Sequence, residues 1–127
     1  MTGLPILIQQ KKFKAVGYDN VFLLDLAQPF HVVPKSWSMQ VTGLAADGVT
    51  NVAATSWTVN LQGSLDGIGY DGDATEAMLV NTSASEPDGT VEKSNNNFLA
   101  VRFVRIHCSA LVLGAADSIL VTVLGVM

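Results

Sequence analysis

Apolar and polar residues take turns along much of this chain. In "SWSMQV", Trp37, Met39 and Val41 fall on one side, and Ser36, Ser38 and Gln40 on the other. "SWTVNLQ" repeats the arrangement, with Trp57, Val59 and Leu61 opposed to Thr58, Asn60 and Gln62. Successive side chains of a strand point to opposite faces, so this period of two predicts half-buried antiparallel strands. "DSILVTVLG" puts Ile119, Val121 and Val123 on one face and Leu120, Thr122 and Leu124 on the other. That last strand is apolar on both sides, which predicts that both sides are covered. "NVFLLDLA" and "NNFLAVRFVRIHCSALVL" complete the strand set. In the second, Phe98, Ala100, Val104, Ile106 and Cys108 share a face that Arg102 interrupts, while Leu99, Val101, Phe103, Arg105 and His107 share the other.

Turn signals separate the runs. Asp-Gly stands at 47–48, 66–67, 71–72 and 88–89, and Gly accepts the positive φ that tight hairpins require. Only "GDATEAMLV", at 72–80, leaves room for a short helical turn. Short strands with regular punctuation predict an all-β fold: an antiparallel β-sandwich, jelly-roll or Ig-like, with an extended N-terminal arm. Residues 1–20 read as the arm or an edge strand, and 21–127 as a single sandwich domain.

Composition sharpens this picture. The chain has 127 residues, of which 49% are hydrophobic and only 14% charged, against about 25% charged in ordinary soluble domains. No apolar run reaches the roughly 18 residues of a spanning helix, so no membrane partner is expected. The net charge of −4 argues against nucleic acid as a partner, and Lys11, Lys12 and Lys14 form a basic cluster too short to track phosphates. With Cys108 as its one cysteine the chain has no internal disulfide, and "MTGLPILIQQKK" lacks the pattern of a signal peptide. Folding in a reducing cytoplasm is the expectation, and Asn81-Thr82-Ser83 then carries no weight as a glycosylation motif.

Candidate chemistry is sparse. Asp66, Asp71 and Asp73 sit in "SLDGIGYDGD" without the alternating ligands and closing Glu of a calcium loop, so they read as turn formers. His31 and His107 stand in no catalytic motif, and Cys108, adjacent to His107, would point to the opposite face of its strand. No catalytic residue, metal site or cofactor is expected. Arg102 or Arg105 is expected to pair with a turn Asp and pin a loop. Trp37 and Trp57 fall on apolar faces and read as core. Tyr70, with Asp66 and Asp71, is the candidate ligand contact, since an aromatic among polar loop groups suits a sugar.

The order of these pieces carries a resemblance. "WTVNLQGSLDG" precedes the apolar "AMLVNTS", then "FLAVRFVRIHCSAL", the turn "GAADS" and a terminal "SILVTVLGVM". Between Ser36 and Met127 this resembles small tailed-phage virion structural proteins, most clearly at Gln62–Gly67 and Arg102–Ile106. The resemblance implies a non-enzymatic viral structural protein, a capsid decoration (cement) protein that binds the phage head shell. It would assemble in the host cytoplasm and reside in the virion. Its implied partners are copies of itself, such as a homotrimer, and the major capsid protein or other virion proteins. Discoidin-like and carbohydrate-binding sandwiches share parts of the pattern. A neck, tail or fibre subunit and a carbohydrate-binding module therefore remain as alternatives. "GLPILI" and "LGVM" make both chain ends apolar, so Leu4, Ile6, Ile8 and Val126 are the expected contacts to other subunits or the capsid.

Overall fold

The computed structural model describes residues 5–19, 36–64, 66, 68–70, 79–83, 90–94 and 103–126. They form eight strands: β1 (Pro5–Phe13), β2 (Gly17–Tyr18), β3 (Ser36–Leu44), β4 (Ser56–Ser64), β5 (Leu79–Ser83), β6 (Thr90–Ser94), β7 (Phe103–Val112) and β8 (Ser118–Val126). No helix among the described residues is long and apolar enough to cross a membrane. The run at 20–27, most of the segment read as a helical turn, and residues 95–102 lie outside the described residues.

One sheet has the order β1-β8-β3-β6 and the other β2-β7-β4-β5, and every described pairing is antiparallel. Strands 1 to 4 pair with strands 8, 7, 6 and 5, as though one long hairpin were wrapped on itself. The wrap brings β8 beside β3 and β7 beside β4. This is the strand order of an eight-stranded jelly roll, so the sandwich is of that kind rather than Ig-like. Pro5–Phe13, part of the expected arm, pairs with β8 along its length as the edge strand of the first sheet.

The alternation read from sequence decides what goes inside. Trp37, Met39 and Val41 from β3 meet Trp57, Val59 and Leu61 from β4, Val104, Ile106 and Cys108 from β7, and Ile119, Val121 and Val123 from β8 in one buried core. Phe13 closes it from β1. The outer faces alternate as expected too. Ser36, Ser38 and Thr42 on β3 are half-buried and Gln40 is exposed, while Leu120, Thr122 and Leu124 on β8 are half-buried.

Two bulges shift the alternation. The register between β4 and β7 passes from Thr58↔Ala110 to Val59↔Cys108, leaving Ser109 as the extra residue. Beyond it the parity of β7 reverses, so Leu111 and Leu113 pack against the core while Ala110 and Val112 are exposed. In β1 the extra residue is Ile8: Leu7 pairs with Leu124 and Gln9 with Val123. Leu7 therefore faces out, 57% exposed, while Gln9 turns toward the second sheet and donates from Nε2 to Asp19 Oδ2 at 3.1 Å. Asp19 is itself buried, and its N–H donates to Ile106 O at 2.9 Å.

A single amide links the two layers at the opposite edge. Asn81, on β5, is fully buried on the inner face. Its Oδ1 accepts from Trp57 Nε1 at 2.9 Å, and its Nδ2 donates to Met39 O at 3.3 Å across the sandwich. A buried polar group must be hydrogen-bonded, and here one amide satisfies the indole of one sheet while bonding the backbone of the other.

The β1–β2, β3–β4 and β7–β8 connections gather at one end, since Phe13 and Leu44 stand beside Ile119 and Ser118. Backbone bonds tie them together: Asp117 N donates to Leu44 O at 2.8 Å and Thr55 N to Val112 O at 2.9 Å. Gly114 turns with φ of 59°, and a Cβ there would run into Thr55 Oγ1. Any other residue at 114 is both strained and blocked.

Replacing Asn81 with Leu should leave the Trp57 N–H buried and unpartnered, at a cost of about 1–3 kcal/mol. Urea unfolding followed by tryptophan fluorescence measures it. An Asn81→Leu variant as stable as the original chain would mean that the amide does not join the layers.

Candidate functional site

The outer face of the second sheet gathers the chemically distinctive side chains. β7 presents Phe103, Arg105 and His107 outward, as its alternation predicted. Tyr18 on the two-residue β2 stands directly opposite His107, and their rings stack with centroids 4.1 Å apart and planes 12° apart. The Arg105 guanidinium carbon lies 4.0 Å from the centroid of Tyr18 and 3.9 Å from that of Tyr70. Two planar groups cannot occupy one face of a ring at that distance. Tyr18 therefore sits between His107 and Arg105, and Arg105 between Tyr18 and Tyr70. The result is a continuous stack of four planar groups. Such cation–π contacts favour the guanidinium by about 0.5–2 kcal/mol each, depending on desolvation.

Arg105 is anchored in a third direction. Its Nε donates to Oε1 of Gln62, its cross-strand neighbour on β4, at 2.9 Å. Of the two arginines, one of which is expected to pair with a turn Asp, only Arg105 is among the described residues, and it is not that one. Instead Gln62 and two tyrosines hold it, and among the described residues it has no carboxylate partner. Arg102 lies outside the described residues.

Tyr70 and Asp66 come together where β4 leaves the sheet. Asp66 Oδ1 accepts from Ile68 N at 2.8 Å, Gly69 N at 2.9 Å and Ser64 Oγ at 3.1 Å. Asp66 thus forms the turn that delivers Tyr70 to Arg105. Those bonds, the Ile68 N–H first, hold its carboxyl below the ordinary value. Burial pushes the Tyr70 phenol up, opposed by the nearby Arg105 charge. The Tyr70 hydroxyl and Ser118 Oγ are buried without a hydrogen-bond partner among the described residues. Asp71 lies outside them, as do Asp73 and His31.

The remaining candidates are ordinary structure. Cys108 points into the core, away from His107, and burial pushes its thiol up to about 11. Asn81 is buried within the sandwich and inaccessible as a glycosylation acceptor. Lys14 pairs with Asp117 at 3.4 Å on the surface, where such pairs contribute little. Among the described residues no three His, Cys, Asp or Glu come together as metal ligands.

Of the expected subunit contacts, Leu4 lies outside the described residues. Ile6 and Ile8 are on β1, and Val126 ends β8. The backbone brings these apolar ends together: Pro5 pairs with Val126 and Ile6 with Gly125 at one corner of the first sheet. Comparisons with protein-family models, with curated proteins and with solved structures gave no match.

Tyr18, in the middle of the stack, and Gln62, which anchors Arg105, were missed. A two-residue strand has no readable period, and Gln62 looked like one more outward polar residue. The outward alternation of Arg105 with His107 was the available signal, because a cation and an imidazole at i, i+2 invite a cross-strand aromatic between them.

The carboxylates give the pH behaviour. Asp47 accepts from Thr50 Oγ1, Thr50 N and Val49 N in the β3–β4 turn, which lowers it to about 2. Depressed carboxyls stabilise the fold above their unfolded value and lose that contribution as pH falls through the folded one. A side-chain NMR titration should therefore place the Asp47 midpoint near 2, and the turn should stay closed at pH 4. A midpoint near 4 would mean that the capping bonds do not form in solution.

Proposed function

We propose that this chain is a non-enzymatic structural protein of a tailed-phage particle, a capsid decoration protein that binds the head shell and associates with copies of itself. The observation that carries this reading is the outer face of β1, β8 and β3. Apart from Lys12, the described side chains on it are uncharged: Leu7 and Gln10 beside Leu120, Thr122 and Leu124, then Ser36, Ser38, Gln40 and Thr42. Three strands about 4.8 Å apart and nine residues long at roughly 3.3 Å each outline about 400 Å². Within it Leu7 pairs with Leu124, and apolar surface left open on such a face is often functional. A shallow groove of about 200 Å³ between Ser38, Gln40, Thr122 and Leu124 gives the face relief.

The strand pattern predicted cover on both sides of β8, and the chain's own described residues bury only the inner side fully. A second surface completing the outer side would resolve that imbalance. Among the described residues β1 is the edge of its sheet, and that edge is a poor alternative contact, because Pro5, the bulge at Ile8 and Lys11 and Lys12 each discourage strand addition there. Jelly rolls serve in capsids, lectins and other roles, so the fold alone is no warrant. The sparsely charged face and the sequence resemblance favour the particle.

Purified protein should elute as an oligomer by size exclusion with light scattering, and should co-sediment with phage heads that lack it. Leu124→Glu places a charge on the face and should weaken both by roughly tenfold or more, with unchanged circular dichroism. A monomer that ignores heads, or a Leu124→Glu variant that binds undiminished, would sink the proposal.

A further inference from the structure

We propose that the terminal edge of Arg105 is a binding site for the carboxylate of an acidic sugar. Three of the guanidinium's approaches are already taken. Tyr18 and Tyr70 cover its two faces, and Gln62 accepts from Nε. What remains is the edge formed by the two terminal nitrogens, for which no acceptor exists among the described residues. Arg105 is half-buried, so this edge is fixed in direction. A rigid, planar pair of donors matches the two oxygens of a carboxylate, and preorganisation lowers the cost of forming both bonds.

The surroundings select the rest of the ligand. Asp66 lies close enough to act electrostatically on the same Tyr70 ring that Arg105 covers, and it is exposed. Its Oδ1 is occupied by the turn, whereas Oδ2 has no partner among the described residues and can accept from a hydroxyl. That carboxylate also repels a second negative group. A polyacidic segment is therefore disfavoured, and a neutral sugar offers only hydroxyl acceptors, without the charge and paired oxygens that match the guanidinium edge. A molecule with one carboxylate flanked by hydroxyls satisfies both residues. Tyr18, both faces covered, offers no platform for ring stacking, so recognition runs through the charge. This site is on the opposite sheet from the proposed assembly face and stands independently of it.

The test is a ¹H–¹⁵N titration of the intact protein with D-glucuronate, following the Arg105 Nε–H and the Tyr70 backbone amide, with D-glucose, acetate and a poly-glutamate peptide in parallel. Glucuronate should give saturable shifts at both, with glucose giving none and acetate binding at least several-fold more weakly. Arg105→Lys, which keeps the charge and loses the fork, should weaken glucuronate about tenfold or more. No saturable shift with glucuronate in the wild type would overturn the proposal without recourse to any variant. So would equal binding of acetate or glucose, tighter binding of the peptide, or undiminished binding by a folded Arg105→Lys variant.

Discussion

The two sheets could close over their apolar faces in many relative positions, because hydrophobic burial has no direction. Asn81 removes that freedom at the β5–β6 edge. Its amide is fully buried, and both of its described bonds must form together: one to the Trp57 indole in its own sheet, one to the Met39 carbonyl in the other. A slip of either sheet would leave a buried donor or acceptor unmatched, a larger penalty than an apolar contact of the same size would impose. The Trp57 indole is thereby tied through one amide to the Met39 backbone, and the register of the core follows. At the opposite edge the Gln9–Asp19 bond sits beside the β1 bulge and closes that side.

The inner faces were legible because burial obeys a period of two. Trp37, Trp57, Val104, Ile106, Val121 and Val123 all lie where the alternation placed them. The alternation failed past Cys108, where the extra residue Ser109 reverses the parity and brings Leu111 inward. Nothing in "HCSALV" announces a bulge, since Ser, Ala and Leu fit a regular strand equally well. Asn81 was equally hidden. A polar residue in "LVNTS" reads as outward, and only the neighbouring indole explains why it turns in.

The candidate site was half readable for a related reason. Tyr70 and Asp66 could be found from a Gly- and Asp-rich loop, but their roles depend on a pairing across the sheet. Asp66 serves as the turn's acceptor, and its position brings Tyr70 over Arg105. Arg105 gains its fixed direction from Tyr18 and Gln62, which come from β2 and β4. A local pattern cannot report such a convergence. The outcome is a sandwich with distinct chemistry on its two outer faces: uncharged apart from Lys12 on β1, β8 and β3, and a clamped cation on β7.

The division between those faces is the central claim, and hydroxyl-radical footprinting of the protein before and after assembly tests it most directly. Leu7, Leu120 and Leu124 should be oxidised markedly less in the assembled protein, while Tyr18 and Tyr70 should be oxidised to the same extent in both states. Protection of the tyrosines with unchanged leucines would place the assembly contact on the other sheet and contradict the account.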